Sequence, residues 1–577
     1  MGKRKKSKVN SKKVRKINLA IIIPILISIS ILAFSASNYY NYISDKNKEE
    51  ENLKNQIYSS FQKASSLKDA RNFEEAIKEY DGILNKISYN EFPMEYATAQ
   101  NNLGSLYSEL AEVQDKEGNL KKSINAFQEA KTIFFQRYPE DYAMTQNNLG
   151  NSYCKLAEVR DKEGNLEIAI NAFNEALTII TVERYPIEYA TIQNNLGGAY
   201  GGMAEVRDTE SNLKKAINAF QEALKIRTVE SYPLDYAITQ RNLGVAFIRL
   251  AEIRDTESKV EKAIKAFQEA LNVNTVEKHP IEYASGKRNL GVAYYTLAEV
   301  RDKESNLRKA INAFQEALTV STAKNYPLDY AMIQNNLGIS YDSLAEVRDK
   351  ESNLRKAINA FQEALNVSTV ESFPLDHSMT QSNLGSAYGA LAEVREKEIN
   401  LEKAINNFQE ALNIYTVEKY PLKYALTQQN LGSAYGALAE VRDKEINLEK
   451  AIDSFKEALK IITVESYPLY YAMTQNNLRS AYANLAEVRD KESNLEKAIN
   501  AFQEALNIYT VEKYPLKYAL TQQNLGDTYN KLSKVHDKEI NQKKCIHAYQ
   551  EALKIYTEEK YPLLYHEIKS DLAQIKY

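Results

Sequence analysis

The chain has 577 residues, more than one ordinary core can organise, so either several domains or a repeat array must account for it. No Trp, five His and two Cys against 40 Tyr leave little material for metal or thiol chemistry. The formal net charge of -3 hides an asymmetry: nine of the 74 Lys and Arg stand in the first sixteen residues without any acid, so the rest is acidic and unsuited to nucleic-acid phosphates.

Residues 1–16 form a basic head, and Ile17 to Ala36 follow without a charge. Twenty helical residues span roughly 30 Å, so residues 17–36 predict a transmembrane helix contacting a lipid bilayer. The positive-inside rule then places the head in the cytoplasm and the remainder outside it, giving a single-pass membrane protein. The alternative is secretion after signal-peptide cleavage, with Ala33-Phe34-Ser35 as a small-x-small site. Residues 37–52 read as a linker.

Residues 53–92 read as a short first helical unit, with Ala76, Tyr80 and Ile83 on one face. From Pro93 the prolines recur at 139, 186, 233, 280, 327, 374, 421, 468, 515 and 562, a spacing of 46 once and 47 thereafter. A fixed period of this length predicts a solenoid of ten repeats over 93–561, closed by one capping helix at 562–577. Numbering each repeat from its proline, helix A covers positions 1 to about 22, because Pro suits the first helical turn and apolar residues recur with helical spacing, as at Tyr424, Leu431, Tyr435 and Leu438. Asn at position 27 is expected to cap helix B, exemplified by Leu401 to Glu418 with Ala404, Phe408 and Ala411 in one stripe. Cys154 and Cys545 lie more than eight repeats apart, too far for a disulfide.

Leu-Gly-x-x-Tyr on helix A followed by Ala-x-x-x-Phe-x-x-Ala on helix B resembles the tetratricopeptide repeat, most closely the long variant beside caspase-like CHAT domains, and the Asn-Asn-Leu run is similar to kinesin light chain repeats. That resemblance implies an all-α superhelical solenoid of helix-turn-helix repeats whose helices A line a concave groove for a protein or peptide. No catalytic domain follows the repeats, so no enzymatic activity and no cofactor is expected. The alternative is a spacer or self-assembling rod at the cell surface, with self-association in place of a groove ligand.

Two rows on helix A carry the candidate sites. Position 10 holds Asn102, Asn148, Asn195, Asn242, Asn289, Asn336, Asn383, Asn430, Asn477 and Asn524, on the flank of the buried face. They predict an inter-repeat Asn ladder; the alternative is that their amides hold a peptide backbone. Position 9 is expected to face solvent and varies, so Asn147, Asn194, Arg241, Arg288 and Asn335 are candidate groove residues. Arg249 and Lys287 join the two arginines on nearby turns, where an acidic peptide or carboxylate could dock unless Glu252 and Glu299 neutralise them. Gly197, Gly198, Gly201 and Gly202 within one helix A are expected to loosen it or open the groove there. Metal readings fail: the EF-hand-like Asp115 loop has Ala126 where Glu is needed, and the five His lack ligand spacing.

Overall fold

The computed structural model describes residues 19–575, with the backbone alone for residues 19–29 and Gln136. All regular structure in it is α-helical. A leading helix (Leu19–Asp69) pairs with a short one (Phe73–Leu84), ten helix pairs follow, and one helix (Pro562–Ile575) closes the array. The chain divides into two compact units, one ending at Ile226 and the other beginning at Arg227; the second holds repeats 4 to 10 and the closing helix.

The predicted transmembrane helix is a correction. Among the described residues, no helix is long and apolar enough to cross a membrane. The basic head and the first two residues of the apolar run lie outside the described residues, and the side chains of the run are described only over residues 30–36, a fraction of the ~20 residues a span needs. The leading helix does not stop after it but continues through the charged stretch from Asp45 to Glu51 to Asp69, where it packs as part of the first unit through Ile57 and Ala64. Membrane topology, lipid contact and an extracytoplasmic or secreted location therefore do not carry forward.

Repeat 8 shows how each pair is built. Helix A (Pro421–Leu438) starts on its proline, whose missing N–H costs no hydrogen bond there. Leu431, Ala434, Tyr435 and Leu438 bury against Leu448, Ala451, Ile452 and Phe455 of helix B (Lys444–Leu459). The helices approach closely because position 12 is Gly432: a Cβ there would stand 2.8 Å from the Phe455 ring. A second, smaller core lies at the other end of the pair, where Ala425, Ala458 and Ile462 meet Tyr467 and Tyr471.

The turn between the helices corrects the expected cap. The residue before helix B is Asp443, held at φ 45, and the equivalent residue is left-handed in all ten repeats, Glu396 included. Asn447 at position 27 lies inside helix B, and its Nδ2 donates 2.9 Å back to the Arg442 carbonyl, bracing the strained residue from behind. Only where position 26 is glycine does the aspartate itself cap: Asp115 accepts from the Gly118 N–H and Asp161 from the Gly164 N–H.

These turns also tie neighbours together. Lys397 pairs with Glu440 at 2.6 Å and Lys444 with Glu487 at 2.9 Å, while Arg442 and Arg489 reach back to Glu398 and Glu445, each at 2.8 Å. Exposed pairs add little individually, but the ladder fixes register and occupies the position 20 glutamates Glu440 and Glu487.

Candidate functional site

Position 9 does not face solvent as its helical angle suggests. Asn147 and Asn335 are buried, at 4% and 3% exposure, while Asn194, Arg241 and Arg288 are half-buried. Neighbouring helices A flank each other, so the side of the core stripe that a single helix would expose is covered by the next repeat.

The two amide rows meet diagonally. Asn195 Nδ2 donates 3.0 Å to Asn147 Oδ1, Asn383 Nδ2 donates 3.0 Å to Asn335 Oδ1, and Asn148 reaches Asn101 at 3.5 Å. The position 10 amide of one repeat thus contacts position 9 of the repeat before it. Asn477 instead reaches Ser433 Oγ at 3.5 Å, and Gln429, which stands at position 9 there, keeps a buried Oε1 without a partner. Asn102 contacts Tyr80, and Asn242 is also bonded. Asn289, Asn336 and Asn524 are half-buried, and Asn430 is exposed.

The four basic residues of repeats 4 and 5 are not gathered into one patch. Lys287 pairs with Glu316 on helix B of its own repeat and lines a cavity of about 640 Å³ with Gln268, Tyr283 and Tyr294. Arg288 pairs with Asp329, at position 3 of repeat 6, and Ser321 Oγ donates 2.5 Å to the other Asp329 oxygen. Arg249 is engaged as well. Burial lowers the Arg241 pKa, Glu282 opposes that shift and neighbouring Arg288 adds to it. The neutralising carboxylates for Lys287 and Arg288 are Glu316 and Asp329, not the position 20 glutamates Glu252 and Glu299.

Sequence reasoning did not single out the concavity between the helices A of repeats 7, 8 and 9. One cavity of about 650 Å³ is lined by Ser386, Gly389, Ala390, Asn430, Ser433 and Ala437. A second, about 250 Å³, shares Ser433 and Ala437 with it and continues past Gly436 to Ser480 and Asn484. Gly389 and Gly436 are mid-helix glycines where an added Cβ would meet nothing within 4 Å, as at Gly198 and Gly201 in repeat 3. Helical glycine costs roughly 0.5–1 kcal/mol relative to alanine, and at these positions no close packing inside the protein offsets it. The signal was present as small residues at positions 13, 16 and 17, but it is indistinguishable in sequence from close helix packing.

Among the described residues no group of His, Cys, Asp or Glu is placed to hold a metal ion. Cys545 is fully buried and its thiol is pushed up to about 12 by burial, with Asp527 adding to the shift.

The tetratricopeptide-repeat family profile matches residues 150–180 and 480–510, each spanning the end of a helix A and the whole of its helix B. No curated protein matches the chain. Among solved structures it is similar to the C-terminal part of a repeat-containing protein from Cytophaga hutchinsonii (15% identity, 53% of this chain, 94% of that chain, TM-score 0.32). It is also similar to the Cut9–Hcn1 hetero-tetramer of the APC/C (15%, 88% and 95%, TM-score 0.32) and to yeast Tom70 (12%, 90% and 96%, TM-score 0.29). The profile match and the helix-pair packing together establish a tetratricopeptide-repeat fold, an all-α scaffold.

Proposed function

We propose that this protein recruits a partner polypeptide, and that the groove along the helices A of repeats 7 to 9 receives it. The observation that carries the reading is the pair of open glycines, Gly389 and Gly436, on the floor of two adjoining cavities. They let a partner backbone approach the helix more closely than any side chain would allow. The walls offer hydroxyls and amides beside apolar Leu401, Phe408 and Phe455, and the charged residues at the rim are already paired, Glu393 with Lys350 and Glu440 with Lys397. An uncharged, extended segment fits that chemistry.

We further infer, from the 47-residue spacing and the recurrent Asn-Leu pair, a closer kinship with the long repeats beside caspase-like CHAT domains and with kinesin light chain repeats. The amide rungs at Asn195 and Asn383 support a structural role for position 10 over a ligand-binding one.

Cross-linking capture with the full chain tests the groove. Gly436→Trp is expected to lose the partner that the unaltered chain captures, with no loss of hydrogen-exchange protection over residues 421–459, while Gly436→Ala weakens capture. Undiminished capture of the same partner by Gly436→Trp would overturn the groove assignment.

A further inference from the structure

Position 42, just beyond helix B, faces the first turns of the next helix A; it is buried and polar in repeats 3 to 6, as Arg227, Asn274, Ser321 and Ser368, and tyrosine or isoleucine in repeats 7 to 10. In repeats 7, 9 and 10 it is a buried tyrosine: Tyr415, Tyr509 and Tyr556 pack edge-to-face on Tyr420, Tyr514 and Tyr561 at 5.9, 5.8 and 5.5 Å. Lys423 and Lys517 lie over both rings of their pairs. In repeat 8 the residue is Ile462, fully buried. Repeat 6 has Ser368 instead, also fully buried, with an Oγ that meets no hydrogen-bond partner.

The same junction breaks a second fastening. In the other repeats position 4 is tyrosine; Tyr330, for example, reaches the helix B glutamate Glu363 at 2.9 Å and accepts from Gln334 at position 8 at 3.1 Å. Repeat 7 has His377, which turns its Nδ1 to the Ser368 carbonyl at 2.6 Å. Gln381 at position 8 then approaches His377 Nε2 at 3.3 Å, and its own Oε1 is buried without a partner. Position 5, alanine in the other repeats, is Ser378, bonded only to the Pro374 carbonyl of its own helix. Elsewhere the junction is sound: Ile358 and Phe361 share a core with Leu384, Ala387 and Tyr388, and the Asn383–Asn335 rung holds mid-helix.

We propose that the junction between repeats 6 and 7 is a hinge, secured along the main core and the amide rung and yielding at the Ser368–His377 end. It stands apart from the groove reading: the cavity floored by Gly389 is lined by residues of repeats 7 and 8 alone, and the Ser368–His377 end contributes none of them. Buried polar atoms without partners and a missing aromatic strap lower the cost of local opening there relative to the junction between repeats 7 and 8, which carries the Tyr415–Tyr420 pair.

Hydrogen exchange on the full chain tests this without any partner. Amides of residues 366–381 are expected to exchange at least about tenfold faster than the equivalent amides of 413–428, which carry the Tyr415–Tyr420 strap. Ser368→Tyr combined with His377→Tyr should bring 366–381 to the level of 413–428. His377→Tyr alone, which installs the residue found at this position in the other repeats, should recover part of that protection if the double variant folds poorly. Equal protection of the two segments in the unaltered chain, or no gain from His377→Tyr, overturns the hinge and leaves the groove reading intact. Loss of capture in Gly436→Trp bears only on the groove.

Discussion

Gly432 and Gly436 lie one turn apart on the same helix A of repeat 8, and replacement by alanine should move stability in opposite directions. At Gly436 an added Cβ meets nothing, so the helix-propensity term stands alone and Gly436→Ala should stabilise by ~0.5–1 kcal/mol. At Gly432 the same backbone gain is opposed by contacts of 2.8, 2.9 and 3.0 Å to the ring of Phe455, which is 2% exposed and hemmed in by the main core. Overpacking of this kind costs ~1–3 kcal/mol, so Gly432→Ala should destabilise by roughly 0.5–2 kcal/mol net. A long repeat array does not melt as a two-state system, so the assay is hydrogen exchange over residues 421–459 in the full chain. With a tenfold change for each ~1.4 kcal/mol, Gly436→Ala should slow exchange about two- to fivefold and Gly432→Ala should speed it about two- to thirtyfold. Shifts of the same sign for both variants would refute the assignment of position 12 to close packing and of position 16 to an open surface.

Three further outcomes follow from the geometry. Asn447→Ala removes the amide that braces Asp443 in its left-handed conformation and should cost ~1–2 kcal/mol, read as faster exchange at the start of helix B (Lys444–Leu459), whereas the same change at exposed Asn430 should be nearly silent. Asn383→Ala leaves the 3% exposed Asn335 Oδ1 unpaired and should cost ~1–3 kcal/mol; loss of partner capture at full stability would instead make the ladder a binding surface. Asp342 is pushed up to about 6 by burial, with Glu346 adding to the shift, so its carboxyl favours the folded state when protonated and that contribution is lost as pH rises from its ordinary 3.8 through about 6. Asp342→Asn should therefore stabilise the chain at pH 7 by on the order of 1–3 kcal/mol and flatten the decline of denaturation midpoint between pH 4 and pH 7.

The fold was legible because two periodicities agree. The prolines mark where each helix A begins, and the apolar residues around Leu431 and Phe408 recur with helical spacing at fixed offsets from them. The sites were less legible because a helical wheel describes one helix. Position 9 lies toward solvent on an isolated helix A, yet Asn335 is enclosed by the next helix A, a contact across 48 residues. Lys287 and Arg288 are adjacent in sequence but diverge by about 100° around the helix, which sends them to Glu316 and Asp329 on different elements. Asn at position 27 has the residue type of a cap but follows the capping position by four, and no local propensity predicts that an aspartate would take the left-handed conformation ahead of it. The transmembrane expectation rested on hydropathy summed over a window, a measure blind to the charged, packed helix into which the described part of that window continues.

The ion-pair ladder has a consequence for how such a chain can change length. Its bonds join residues 40 to 44 apart across the interfaces of repeats 7 to 9, so inserting or losing one residue within a helix or its turn between a lysine and its glutamate would throw two neighbouring turns out of step. A whole repeat can be gained or lost with every bond re-forming to an equivalent partner. The one spacing of 46 falls in repeat 1, where helix B runs unbroken from Lys116 to Arg137 and reaches Pro139 without the short turn that later repeats use. The missing residue thus comes out of the link between repeats, inside the segment spanned by Lys116–Glu158 and Arg160–Glu117, and both pairs still form, so the link absorbs a change of one that the helices and turns could not.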